Sequence, residues 1–116
     1  MNRRRAEREG RKAERLAAWW LRLKGWRILA IRARTPVGEV DLVARRGGTL
    51  AFIEVKARAS DEAAGLALDD HRLRRVARAA EALAARYARP GDDIRIDALF
   101  IVPRRWPRHM TNVWHG

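Results

Sequence analysis

Between Gly38 and Arg58 the chain reads GEVDLVARRGGTLAFIEVKAR, and Glu39, Asp41, Glu54 and Lys56 stand there among residues otherwise suited to a core. Side chains alternate faces along a strand. Glu39 and Asp41 therefore share one face, with Val40 and Leu42 opposite. Glu54 and Lys56 share a face, with Ile53 and Val55 opposite. Gly47-Gly48 reads as a hairpin turn that brings the two strands together antiparallel and gathers Asp41, Glu54 and Lys56. Charges at strand centres are costly to bury unless paired or metal-bound. Two carboxylates that repel each other suit a shared hard cation, Mg²⁺ or Mn²⁺. A nearby ammonium orients a water or stabilises charge that develops on phosphorus. Such a metal also neutralises a phosphodiester and activates a bound water. The chemistry implied is phosphodiester hydrolysis. The same spacing fits a solvated sheet face with Glu54–Lys56 as a local ion pair.

These strands need a frame. From Arg5 to Lys24, the residues Ala13, Leu16, Ala17, Trp20 and Leu23 recur at helical spacing, and Gly25 suits the end of that helix. WRILAIR (Trp26–Arg32) reads as a strand and Thr35-Pro36-Val37-Gly38 as a turn. Strands over Glu39–Arg45 and Thr49–Arg58 follow, then a loop over 59–68. Asp69-Asp70 offers a helix N-terminus. Leu73, Val76, Ala77, Ala80, Leu83, Ala84 and Tyr87 make one apolar stripe to about Ala88. After Pro90-Gly91-Asp92-Asp93, IRIDALFIV (Ile94–Val102) reads as a fourth strand, with Asp97 as a structural charge that pairs with Arg95 or Arg58. The order is α-β-β-β-α-β, an α/β mixed sheet with helices against it.

The 116 residues suit one domain, with a basic segment over 1–11 expected to fray and a basic, aromatic tail over 103–116. Net charge is +12, distributed as +9 over residues 1–34, −3 over 35–70 and +6 over 71–116. Two basic arms around an acidic middle attract polyanions, nucleic acid foremost. A GC-rich genome also enriches Arg and Ala. The chain has no cysteine, which excludes disulfides, thiolate zinc sites and cysteine nucleophiles. No apolar run is long enough to span a bilayer and no secretory pattern follows the charged N-terminus, so a cytoplasmic protein without a membrane partner is expected.

Gly38-Glu39-Val40-Asp41-Leu42-Val43-Ala44, followed after the turn by Phe52-Ile53-Glu54-Val55-Lys56-Ala57-Arg58, resembles the hallmark of the bacterial YraN family. That family is similar to Holliday-junction resolvases and to the PD-(D/E)XK, restriction-endonuclease-like nucleases. The resemblance covers about residues 10–112. It implies a restriction-endonuclease-like fold, with Asp41 and Glu54 as metal ligands, Lys56 as catalytic lysine, and Glu14 of the first helix as a further acid of the metal shell. Glu39 belongs to the pattern as a partner of the ligands or a fold-stabilising charge. The superfamily's proline before the aspartate is absent, since Val40 stands there. Where a Lys or Gln often supports the site from the second helix, His71 and Arg72 occur, and Arg72 is the substitute cation.

The expectation is a Mg²⁺- or Mn²⁺-dependent endonuclease on DNA rather than RNA, selective for structure because no sequence-reading motif is visible. Arg11, Lys12, Arg58, Arg72 and Arg75 are the expected phosphate contacts. One site per chain cuts one strand, so paired cuts require a homodimer. Two other readings stay open: a non-catalytic nucleic-acid-binding module of this fold, and a small basic protein-interaction domain. Trp19, Trp20 and Trp26 read as core. Trp106 and Trp114, set among Arg104, Arg105, Arg108 and His109, suit single-stranded nucleic acid or packing of the tail on the sheet.

Overall fold

The first helix buries Ala13, Ala17, Ala18 and Leu21 on one flank, while Leu16 and Leu23 of the expected stripe lie exposed. The computed structural model describes residues 3–60 and 69–114. Helix α1 runs Arg3–Leu23, two residues earlier than expected, and takes in much of the basic segment. It ends in a Schellman turn: Trp26 N–H donates to Leu21 O at 2.9 Å, Gly25 N–H to Arg22 O at 3.1 Å, and Gly25 takes φ 89°.

Three antiparallel strands follow: β1 (Arg27–Thr35), β2 (Gly38–Arg46) and β3 (Thr49–Ala57). Helix α2 (Asp70–Tyr87) then crosses over to β4 (Asp93–Ile101), which pairs parallel with β3. Most of the loop expected over 59–68, including Asp61 and Gly65, lies outside the described residues. The order α-β-β-β-α-β is as expected, with one addition from the tail. β5 (Arg108–Met110) pairs antiparallel with β4 and completes a five-stranded sheet in the order β1-β2-β3-β4-β5. This mixed α/β architecture is consistent with a restriction-endonuclease-like fold. No helix among the described residues is long and apolar enough to cross a membrane.

The two helices cover opposite faces. On one, Ala17, Ala18 and Leu21 of α1 pack with Trp26, Leu42, Ala44, Ala51, Ile53 and Leu99. On the other, Leu73, Val76, Ala79, Ala80 and Leu83 of α2 pack with Val40, Val43, Leu50, Phe52 and Ile96. Residues Leu50 to Ile53 of β3 are buried on both sides, which explains their unbroken apolar run. Arg45 fastens the chain after α2 to β2, with two guanidinium bonds to Asp92 at 2.8 and 2.7 Å.

Asp97 is fully buried and anchors the tail. Its Oδ1 accepts from Asn112 N–H at 2.8 Å. Its Oδ2 lies 2.9 Å from Arg95 Nη2 and 2.8 Å from His109 Nε2. Burial opposes ionisation, but the bonds from His109, Arg95 and Asn112 hold the carboxyl below its ordinary pKa. Arg95 is the expected partner; Arg58 instead donates to the neighbouring Ala57 carbonyl. Asp97→Ala strands three buried or half-buried donors, so it is expected to cost about 3–5 kcal/mol. Urea unfolding measures this, and an unchanged midpoint contradicts the anchoring role.

Candidate active site

An antiparallel ladder satisfies every backbone donor between its strands, so the place where it stops must find another acceptor. The β2–β3 ladder stops at Leu42–Ile53. Just beyond, Asp41 Oδ2 accepts the N–H of Val55 at 2.7 Å. The carboxylate takes the bond that a carbonyl would have taken, and β3 parts from β2 while staying paired with β4 through Ala57.

The other edge of β2 is interrupted at the same residue. The β1–β2 ladder keeps one register from Ile31–Leu42 to Ala33–Val40 but has no pairing of Arg32 with Asp41 between them, and Arg32 takes φ 55°. The register shift lies further back, between Ile28 and Ala30. A left-handed arginine costs on the order of 1–2 kcal/mol. The expected alternation does not hold beside this gap. Val40 packs in the α2-side core while Leu42 packs on the α1 side. Asp41 opens on the α2 side as well, into a cavity of about 250 Å³ that it lines with Gly38, Glu39, Glu54, Arg72, Arg75 and Val76.

Strand β3 delivers Glu54 and Lys56 to that side, in phase with Leu50 and Phe52. Both are buried, at 6% and 3% exposure. Glu54 Oε1 lies 2.6 Å from Lys56 Nζ and 3.1 Å from Arg72 Nε. Glu54 Oε2 is buried and has no hydrogen-bond partner among the described residues. Burial lowers the Lys56 pKa, against the opposing pull of Glu54. Arg72 reaches Glu54 because α2 starts where it does. Asp69 is the N-cap, and its Oδ1 accepts the Arg72 N–H at 2.8 Å, which fixes Arg72 in the first turn. Gly38 permits the close approach of α2, since a Cβ there would stand 3.2 Å from Arg75 O.

Asp41 has no ion pair among the described residues. Burial, reinforced by the fields of Glu14 and Glu54, pushes its pKa from the ordinary 3.8 to about 6, although the Val55 N–H and Lys56 pull the other way. Glu14 thus stands near enough to be felt, but its Oε2 is held by Arg32 Nε at 2.6 Å. Glu39 is half-exposed at the cavity mouth, 3.6 Å from Arg34 Nε. The structure gathers Asp41, Glu54, Lys56, Arg72 and Arg75, with Glu14 and Glu39 at the margin. Arg11 and Lys12 are exposed on α1 and line no part of the cavity. Arg32 was not legible as a site residue, because nothing in RILAIRART marks which arginine turns inward.

The donor set fits a hard cation in part. Among the described residues Glu54 Oε2 is an unclaimed buried acceptor and Asp41 a carboxylate without an ion pair. Yet no group of three or more His, Asp or Glu side chains is gathered for a metal among the described residues. The protein side of any such centre is therefore sparse, as suits Mg²⁺ or Mn²⁺ that keep waters and take substrate phosphate oxygens.

A family model described as "Uncharacterised protein family UPF0102" matches residues 13–101. The chain is similar to a UPF0102 protein of Sphingopyxis alaskensis, 65% identical over 98% of each chain. It is 59% identical to one of Rhizorhabdus wittichii, over 100% of this chain and 99% of the relative. It is 54% identical to one of Erythrobacter litoralis, over 98% of each.

The raised Asp41 pKa carries a stability consequence. The native state binds this proton more tightly than the unfolded chain, so stability falls as pH rises from about 4 to about 6, and the full cost remains above that. Asp41→Asn keeps an oxygen for Val55 N–H and removes the charge. It is expected to be more stable than wild type by about 1–3 kcal/mol near pH 7, and equal to it near pH 4. Urea unfolding at the two pH values tests this. A variant less stable than wild type near neutrality contradicts the assignment.

Proposed function

The chain belongs to the uncharacterised protein family UPF0102, and from that premise we propose that it is a divalent-metal-dependent endonuclease acting on DNA phosphodiesters. The observation that carries the reading is the pairing of Asp41, which has no ion pair among the described residues, with Glu54, whose second oxygen is buried and has no partner among them. Carboxylates are not left so on sheet strands without a ligand to repay the desolvation. The YraN resemblance, the restriction-endonuclease-like order of elements and the basic arms point the same way. Structure-selective cleavage is the finer reading, DNA the favoured nucleic acid, and the cytoplasm the expected place. A homodimer is required only for paired cuts.

Asp41 and Glu54 would hold the ion, and Glu14 joins them only if it leaves Arg32. Bound there, Mg²⁺ or Mn²⁺ supplies neutralisation of the scissile phosphate and a lowered pKa for water. The protein's own groups do the rest. Lys56 presents its ammonium beside Glu54 and donates to the attacking water or to the charge developing on phosphorus. Arg75 at the cavity wall and Arg72 at the start of α2 receive phosphate oxygens. The Arg72 guanidinium is more than half exposed, so it can turn from Glu54 to a phosphate.

The binding-only reading has one observation of its own: Glu54 is already neutralised by Lys56 and Arg72. Cleavage separates the two. With Mn²⁺, purified protein is expected to nick branched or flapped DNA, and EDTA to stop it. Glu54→Gln and Lys56→Ala are each expected to lower the rate by about 100-fold or more while DNA affinity changes little. Arg75→Ala is expected to weaken binding and flatten its salt dependence by about one unit of slope. DNA binding without any metal-dependent cleavage, indifferent to Asp41→Ala, establishes the binding module instead.

A further inference from the structure

Of the tryptophans read as core, Trp26 is buried and Trp20 packs half-buried against the α1-side core, but Trp19 does not follow them. Trp19 is 48% exposed, and Leu16 and Leu23 beside it on α1 are 39% and 61% exposed. Trp20 is half-buried and carries Trp106 on its ring, with centroids 5.5 Å apart and planes 30° apart. Trp106 does not pack on the sheet: it is 75% exposed. Leu16, Trp19, Trp20 and Leu23 are neighbours at helical spacings of three and four, so with Trp106 they form one apolar surface. Its polar surroundings are almost wholly cationic. From Gly10 to Lys24 the only carboxylate is Glu14, which Arg32 occupies, against Arg11, Lys12, Arg15, Arg22 and Lys24. No acidic residue follows Asp97, while Arg104, Arg105 and Arg108 flank Trp106.

We propose that the Trp19–Trp20–Trp106 surface is a stacking platform for unpaired bases of a single-stranded nucleic acid. Trp19 and Trp106 offer the exposed rings, while Trp20 backs Trp106 and carries Lys24 Nζ 4.5 Å from its ring centroid. Exposed rings set among such cations match a chain of alternating flat bases and phosphates. A protein partner with an apolar face would gain nothing from the surrounding cations unless it were acidic, and a bilayer would seat a long apolar face that α1 instead turns to the sheet. The tail loop is stiffened for the task. Pro103 and Pro107 bracket Trp106, and Arg105 N–H closes a turn on Val102 O at 3.2 Å.

The platform also has a relation to the cavity. The Trp106 loop leaves β4 at the end of the sheet where Lys56 pairs with Phe100 and Ala57 with Ile101. Arg58 follows there, its N–H bonded to Ile101 O at 3.0 Å. A strand leaving the cavity past Lys56 therefore meets Arg58 and then the tryptophans on the other face of the sheet. A duplex phosphate at the cavity with an unpaired arm on α1 is a partly single-stranded substrate, such as a flap or a tailed end. The inference rests on nucleic acid as the partner, as in the reading above, but not on cleavage.

Fluorescence anisotropy at about 0.15 M salt tests it, with labelled oligothymidylate and a blunt duplex as probes and the full chain as receptor. Trp106→Ala and Trp19→Ala are each expected to weaken oligothymidylate binding about ten-fold, and to leave duplex binding within about two-fold. Trp106→Phe, which keeps a ring, is expected to hold most of the affinity. Both residues are exposed, so circular dichroism and melting should match wild type. Unchanged oligothymidylate affinity, or equal losses on both probes, overturns the proposal. So does binding to anionic phospholipid vesicles, or self-association, that these substitutions remove in its place. Asp41→Asn is expected to keep the single-strand affinity. Tryptophan-dependent binding in a protein that never cleaves supports the platform and ends the nuclease reading alone.

Discussion

One hydrogen bond, from the Val55 N–H to the Asp41 carboxylate, decides the geometry of everything around it. A backbone donor at the end of a buried ladder cannot be left unpaired. By meeting that need with a side chain, β2 is freed from running on beside β3. The strands part, and the charged half of β3 emerges beside α2 with Glu54 and Lys56 aimed into the gap. The left-handed Arg32 on the opposite edge of β2 completes the release. The aspartate thus acts first as a structural wedge, and the same position makes it available to a cation.

The electrostatics follow from that wedge. Three carboxylates, Glu14, Asp41 and Glu54, stand against three cations, Arg32, Lys56 and Arg72, so the total balances while the distribution does not. Glu14 has Arg32 and Glu54 has two donors on one oxygen. Among the described residues Asp41 has the Val55 amide and no ion pair, and its burial opposes ionisation against the pull of that amide and of Lys56. The uncompensated charge is concentrated where the strands separate, and Arg72 and Arg75 stand across the cavity from it. An arrangement that sacrifices stability at one carboxylate and leaves one buried oxygen of its neighbour Glu54 without a partner among the described residues is what a ligand-dependent site requires.

Much of the frame was legible because local rules set it. The helical stripe of α2, the glycine stop after α1, the Gly47-Gly48 turn and the unbroken apolar run of β3 each announce their element, and Glu54-Val55-Lys56 lands in the phase that alternation gives. Val40 did not. Strict alternation places it with Leu42, yet it packs in the other core, beside the gap at Arg32 and Asp41 in the β1–β2 pairing, and that gap depends on contacts outside any spacing rule. The pairing of Glu14 with Arg32 joins residues 18 positions apart on two elements, and no spacing rule reaches it. β5 forms because Asp97 collects His109 and the Asn112 amide, a buried polar network rather than a β-rich sequence. Trp106 misled as well. Of its two expected uses, packing of the tail on the sheet fails at this residue, whose ring lies exposed against Trp20 of α1.

The central claim is that Asp41 and Glu54 form one cation site at the parting of β2 and β3. Calorimetric titration with Mn²⁺ tests it without any assumption about substrate. Wild type is expected to bind one ion per chain, with the heat lost in both Asp41→Ala and Glu54→Gln. Because such a sparse site is completed by phosphate oxygens, the titration is repeated with a short uncleavable duplex. A wild-type site that survives both substitutions, or none in either titration, contradicts the claim.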